Sequence, residues 1–301
     1  MRVPFVDAHI HLWQLDRLHY SWLMPPFADD GPNGSVEAIA RHYTPADYLA
    51  DVAGWNLAGS VHVDAGADPA HALAETEWLE GLAGDTGVPT GIVAYAPLHD
   101  PAVGDLLARQ AAHRRVRGIR QIVNWHADPR RTYTPQDWTR DAQWQAGFAM
   151  LEKHRLRFDL QCYPAQMPGL AEVIARHPDV PVIINHMGMP VLSDPDGLAE
   201  WRTGMAALAT QPHVSVKLSG LGFAQRDWTP DAMRPLLLEV IELFGTDRCM
   251  FASDTPTDKL FAPLTAYLEF YEHIADTLSD DERRDLWGRN ANRIYGLELE
   301  I

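Results

Sequence analysis

Short apolar runs alternate with longer stretches of helical period along almost the whole chain, and this alternation restricts the fold more than any other feature. The runs are Val3–Val6, Gly59–Val63, Gly91–Ala94, Gly118–Val123, Phe158–Leu160, Val182–Ile184, Val214–Leu218 and Cys249–Ala252. Several, such as Pro181-Val-Ile-Ile184, are apolar at successive positions, as a parallel strand covered on both faces requires. Between them, Met233, Leu236, Leu237, Val240, Ile241 and Phe244 recur at helical spacing, as do Val103, Leu106, Leu107 and Ala111. Thr44-Pro45 and Thr229-Pro230 read as N-caps followed by proline at the first helical position. Ser279-Asp-Asp-Glu282 reads as a capping box. Eight strands alternating with helices predict an α/β fold, a (β/α)8 TIM barrel, with residues 1–301 forming a single domain. An open doubly wound sheet shares the pattern, but no GxGxxG follows the first run.

Two connections stand out. About thirty residues separate the first run from Pro45, a length that in compact domains usually marks a functional or disordered loop. Its Trp13, Trp22, Pro25, Pro26 and Pro32 favour an ordered cover. In a barrel it follows the C-terminal end of a strand, the face that carries active sites. Asn124 to Thr139, after the fourth run, carries Trp125, Arg130, Arg131 and Trp138 and sits on the same face.

Charge excludes some partners. Lys and Arg number 25 against 41 Asp and Glu, a formal net charge of −16. A nucleic-acid-coating protein needs basic stripes, and an anionic membrane surface repels such a chain. Hydrophobic residues at 46% and charged residues at 22% are ordinary for a globular chain of this length. Cys162 and Cys249 form no CxxC pair, and no apolar run approaches the roughly 20 residues of a membrane span. The start of the chain lacks the long apolar region of a signal peptide, so a soluble cytoplasmic protein is expected.

The chemistry-bearing residues gather at strand ends. In Val6-Asp-Ala-His-Ile-His11, His9 and His11 lie two apart and face the same way on a strand. They suit a divalent metal or an electrophile-binding pair, and two ordinary strand-end histidines are the plain alternative. His186 closes the sixth run, and Asp254, just before Thr255-Pro256, closes the eighth. In a closed barrel Asp254 lies beside His9 and His11; on its own it reads equally as a helix cap. Lys217 and Arg120 sit inside strand runs, where a cation needs a partner, either substrate or a structural carboxylate. His62 and Asp64 share inward parity, as do Asp159 and Gln161; His62 is expected near substrate, and Asp159 is expected to be structural.

Taken in order, Val6-Asp-Ala-His-Ile-His11, Asn185-His-Met-Gly188, Val216-Lys-Leu-Ser-Gly220, Phe251-Ala-Ser-Asp254 and Asn290-Ala-Asn-Arg-Ile-Tyr295 resemble the amidohydrolase superfamily, in particular its amidohydrolase-2 branch. Ser60-Val-His-Val-Asp64 and Val116-Arg-Gly-Ile-Arg-Gln121 make the chain look most like lactonases acting on sugar-acid or pyrone dicarboxylate lactones. The resemblance implies Asp254, His186, His9 and His11 as catalytic residues. It implies at most one divalent ion, such as zinc, on His9, His11 and Asp254, and is compatible with a metal-free site. Dinuclear members carry a lysine or glutamate on strand four and a histidine on strand five, where this chain has Arg120, Gln121 and Gln161. The missing fifth-strand histidine also separates it from the related decarboxylases. The implied function is hydrolysis of a small lactone, held by Arg120, Lys217, His62, Trp13 and Trp125. A metal-assisted amidase or deaminase and a non-catalytic sugar-acid binder are the competing readings.

Overall fold

The computed structural model describes residues 2–301. Among them, eight strands form one sheet in sequential order, every neighbouring pair parallel. They are β1 (Phe5–Ile10), β2 (Leu57–Val63), β3 (Gly91–Tyr95), β4 (Val116–Arg120), β5 (Arg157–Leu160), β6 (Val182–Ile184), β7 (Val214–Leu218) and β8 (Cys249–Phe251). The first and last strands meet just past their ends. Asp254 N–H donates to the His9 carbonyl at 2.9 Å, His11 N–H donates to the Thr255 carbonyl at 2.8 Å, and Ile10 bridges Thr255 in parallel. The sheet thereby curls into a (β/α)8 barrel, as the alternation predicts.

The helices are α1 (Pro45–Asp51), α2 (Ala72–Thr86), α3 (Val103–Ala111), α4 (Ala142–His154), α5 (Met167–Ala175) and α6 (Gly197–Ala209). They continue as α7 (Leu221–Ala224), α8 (Pro230–Phe244), α9 (Leu264–Ala275), α10 (Asp280–Arg284) and α11 (Asn290–Tyr295). The expected caps are in place: α1 and α8 start at their prolines, and Thr44 and Ser279 form capping boxes with Asp47 and Glu282. The main core fills the layer between strands and helices, and a smaller cluster around Val6, Val61, Ile183 and Met250 fills the barrel interior.

Six of the eight strands differ from the expected bounds, β2, β3, β5 and β8 by one or two residues at one end and β1 and β4 by more. β1 runs on through Asp7-Ala-His-Ile10, and all six of its residues are buried. Asp and His are poor strand formers in isolation, but here their side chains find partners inside the barrel, so tertiary context overrides propensity. β4 ends at Arg120, three residues early, because Gln121 turns outward to meet Leu98 N–H at 2.9 Å and the Trp144 indole at 3.1 Å. The long segment after β1 is ordered cover. Trp13 and Tyr43 exchange backbone hydrogen bonds of 3.0 and 2.9 Å, so the segment leaves and returns at one point.

Candidate active site

At the β1 end, Asp7 acts as a clamp. It accepts Ser253 N–H at 2.9 Å and the Tyr48 hydroxyl at 3.2 Å, tying β1 to the β8 exit and to α1. Burial pushes its carboxyl up to about 6 despite these hydrogen bonds. Held on this clamp, His9 Nε2 lies 3.2 Å from His11 Nε2 and 3.3 Å from Asp254 Oδ1, and His11 Nε2 lies 3.1 Å from the same oxygen. His186 comes in from the β6 exit with Nε2 4.0 Å from Asp254 Oδ2. His9, His186 and Asp254 each bring one ligand atom within 4.8 Å of the others. The sequence-predicted quartet is thus assembled, and His186 stands closer to ligand position than the HxH pattern suggests.

The backbone around these groups is bent into a conformation that L-residues seldom adopt. His186, Met187 and Asp254 have φ of 55°, 52° and 52°. Such residues persist only where surrounding packing holds them, and they cluster at functional sites. Gly220, with φ of 71° at the β7 exit, completes the fit: a Cβ there would collide with the His186 side chain. Ser219 meets His186 Nδ1 at 3.1 Å. Burial pushes the His186 imidazole down to about 4, although Asp254 pulls the other way. Burial likewise works to raise Asp254, but the nearby His186 and the His11 contact outweigh it and hold the carboxyl below its usual range.

The proton positions carry information about a cation. His11 Nδ1 faces the Val63 carbonyl at 2.8 Å, so that nitrogen carries the hydrogen and Nε2 presents a lone pair. That lone pair points at Asp254 Oδ1, another acceptor. Two acceptors 3.1 Å apart need a hydrogen or a cation between them, supplied by the neighbouring Nε2 hydrogen of His9, by a second proton on His11 or by a metal ion. The three edges of 3.1, 3.2 and 3.3 Å match the ~3.3 Å edge of a tetrahedron around zinc with bonds of about 2.0 Å. His11, with its carbonyl second partner, is arranged as metal-ligating histidines usually are. His9 is not: its Nδ1 faces Lys217 Nζ at 3.4 Å, a donor where a ligand histidine normally meets an acceptor. The donor set fits one divalent ion, for which His9 is the less prepared of the two β1 histidines.

Above this cluster opens a cavity of about 250 Å³. Asp254, His11, His186 and Arg120 line it, with Trp22 and Tyr133 on its walls. Asp254 Oδ2 is buried and has no hydrogen-bond partner among the described residues. Arg120 spends Nε on Asp64 Oδ2 at 2.6 Å and Nη1 on Gln161 at 3.1 Å, which fixes its plane against the cavity.

The other residues expected at substrate lie elsewhere. Lys217 is fully buried and bonds to Asp159, whose carboxylate also accepts the Tyr295 hydroxyl at 2.9 and 3.1 Å. Lys217 thus meets a structural carboxylate, and with Nζ 3.4 Å from His9 Nδ1 it lies behind the histidine cluster and lines no part of the cavity. Trp13 is fully buried, its indole N–H on the Arg41 carbonyl at 2.6 Å, so it anchors the cover and does not touch the cavity. His62 uses Nδ1 to accept Leu12 N–H at 3.1 Å and is walled off behind His11. Trp125 is 38% exposed and lines no part of this cavity. Trp22 and Tyr133 take the places foreseen for Trp13 and Trp125. Trp22 sits in a single 3-10 turn, Ser21–Leu23, and Tyr133 in an irregular loop, and the only signal for them was aromatic residues in segments on the active face.

The amidohydrolase family profile matches residues 6–297. The chain belongs to the amidohydrolase family. Within it, the chain is 40% identical over 298 residues to an uncharacterized protein, y4mH, of Sinorhizobium fredii, with 97% of this amidohydrolase and 98% of the relative covered. It is 29% identical over 304 residues to an L-fucono-1,5-lactonase of Burkholderia multivorans, covering 97% and 96%. A crystal structure of a B. multivorans amidohydrolase with bound zinc superposes with a TM-score of 0.79 at 30% identity, covering 97% and 99%. The amidohydrolase-2 placement inferred from the ordered motifs agrees with these matches.

Proposed function

We propose that this amidohydrolase opens a small lactone, and that a sugar-acid lactone is its substrate. The observation that carries the reading is Asp254. Its Oδ1 is occupied by His9 and His11, while its buried Oδ2 is left free beside a cavity of single-ring size. A free, ionised carboxylate oxygen at the base of a cavity is what a general base for water requires. In this reading, water attacks the lactone carbonyl carbon and gives its proton to Asp254 Oδ2. The carbonyl oxygen gathers negative charge, which the imidazoles and Arg120 stabilise. Collapse breaks the ring C–O bond, the proton passes to the departing alkoxide, and a hydroxy acid results. His9, His11 and Asp254, with His186 near, would hold a divalent ion, which when bound polarises the carbonyl or acidifies water.

A metal-assisted amidase would use the same cluster. The relative named L-fucono-1,5-lactonase, matched across both chains, favours the lactone. Screening five- and six-membered sugar lactones and small amides with a pH indicator tests the choice, because lactone opening releases a proton. Proton release above the uncatalysed rate with a sugar lactone, lost in Asp254→Asn, supports the reading. Turnover of amides alone sinks it.

A further inference from the structure

A second cavity, of about 440 Å³, lies outside the first. The two share Tyr133 and Phe223 in their walls, so these rings stand at the junction. Neither ring is loosely placed. The Tyr133 hydroxyl donates to Asn33 Oδ1 at 2.5 Å, and Asn33 itself lines the inner cavity. Arg226 donates to the Asn33 carbonyl at 3.1 Å and packs so tightly on Gly34 that a Cβ there would lie 2.6 Å from its guanidinium. From the other side, the Phe223 ring packs between His186 and Phe261, each 5.3 Å away between centroids. Segments following β1, β4 and β7 therefore meet at one bar across the mouth.

Volume decides what such a bar does. Drug-sized ligands occupy pockets of about 300–1,000 Å³. The inner cavity alone falls below that range, and the two together fall well inside it. We propose that Tyr133, fixed by Asn33 and facing Phe223, determines substrate length: it ends the substrate site after one ring and keeps the outer cavity from extending it. This rests on the lactone reading above for the nature of the substrate, but the partition itself does not. The outer cavity could otherwise take a second ring, since Tyr133 and Tyr163 form one aromatic wall and Phe223 and Phe261 another.

The test compares L-fucono-1,5-lactone with a two-ring lactone, lactobiono-1,5-lactone, on wild type, Tyr133→Ala and Phe223→Ala. For wild type, kcat/KM for the two-ring lactone is expected to be at least about a hundredfold lower. In Tyr133→Ala the ratio of two-ring to single-ring kcat/KM should rise at least about tenfold, with Phe223→Ala moving it the same way if Tyr133→Ala does not fold. Wild type opening both lactones equally well, or a ratio unmoved in the folded variants, overturns the proposal. If no sugar lactone is opened by any form, the lactone reading fails, and crystal structures of wild type and variant decide the partition. A cavity running from Asp254 to Arg131 only in the variant supports it, and a continuous cavity in wild type overturns it.

Discussion

The two oxygens of Asp254 have different surroundings, and most of the chemistry follows from that asymmetry. Oδ1 is shared by two imidazoles, and Oδ2 has no partner. Asp254→Asn should therefore cut lactone turnover by about 10²–10⁴-fold, the usual worth of a general base, with the thermal midpoint and circular dichroism of the fold preserved. Near-normal turnover by that variant removes Asp254 from the role. The lone-pair conflict between His11 and Asp254 leads to a second expectation at the same residues. Elemental analysis of the purified protein should find one divalent ion, with zinc favoured, and His11→Ala should abolish its retention. His9→Ala should weaken retention less, because Lys217 already opposes His9 as a ligand. Equal metal loss in both variants would contradict that ranking.

Between residues and molecule, buried charge ties the elements together. Lys217 on β7, Asp159 on β5 and Tyr295 on α11 join in a site with no solvent access. Removing one partner of such a pair leaves an uncompensated charge, so Lys217→Met should cost about 3–5 kcal/mol in urea unfolding. Lys217→Met combined with Asp159→Leu should cost less than the single change, since the stranded carboxylate goes too. Glu75 on α2 makes a different tie. It accepts the Tyr20 hydroxyl at 3.2 Å and Ala65 N–H at 3.3 Å, holding the cover after β1 and the exit of β2. Burial, reinforced by the charge of Asp64, lifts its carboxyl from 4.5 to about 8. The folded state thus keeps a proton that the unfolded chain releases. The associated stability is complete below about pH 4.5 and drains away as pH rises through about 8. Glu75→Gln, which copies the neutral form, should match wild type in melting temperature near pH 5 and exceed it near pH 9. An unchanged difference across that range would show that Glu75 is ionised in the fold. Of these elements, α1, α8 and α10 were legible because Thr44, Thr229 and Ser279 announce their caps in local sequence. The quartet His9, His11, His186 and Asp254 was legible because parallel strand order dictates which ends become neighbours. Parity along a strand says only that a side chain points inward, not how deep it lies. That is why Lys217, expected at substrate, lies behind His9 and not in the cavity wall. Trp22 and Tyr133 obey no period at all, and only the folded path of their loops places them.

At the scale of the molecule, the charge of −16 bears on substrate more than on fold. No helix among the described residues is long and apolar enough to cross a membrane. The acidic surface works against any anion approaching through solvent, at distances set by the screening length. A lactone hides its carboxyl in an ester and arrives neutral, whereas its hydrolysis product leaves as a carboxylate. Bulk charge should then leave substrate capture untouched and hasten product departure. Arg120 is the countervailing local cation, but it is buried and already engaged by Asp64, so salt screens its pull much less than it screens the surface. Between about 10 and 200 mM salt, where the screening length shrinks from about 30 Å to under 10 Å, kcat/KM for a neutral lactone should change less than about twofold. Over the same range, inhibition by the product acid should strengthen, because the repulsion that weakens it is being removed. A product that binds more tightly at low salt would mean that the field at the mouth is basic, contrary to the sign of the whole surface.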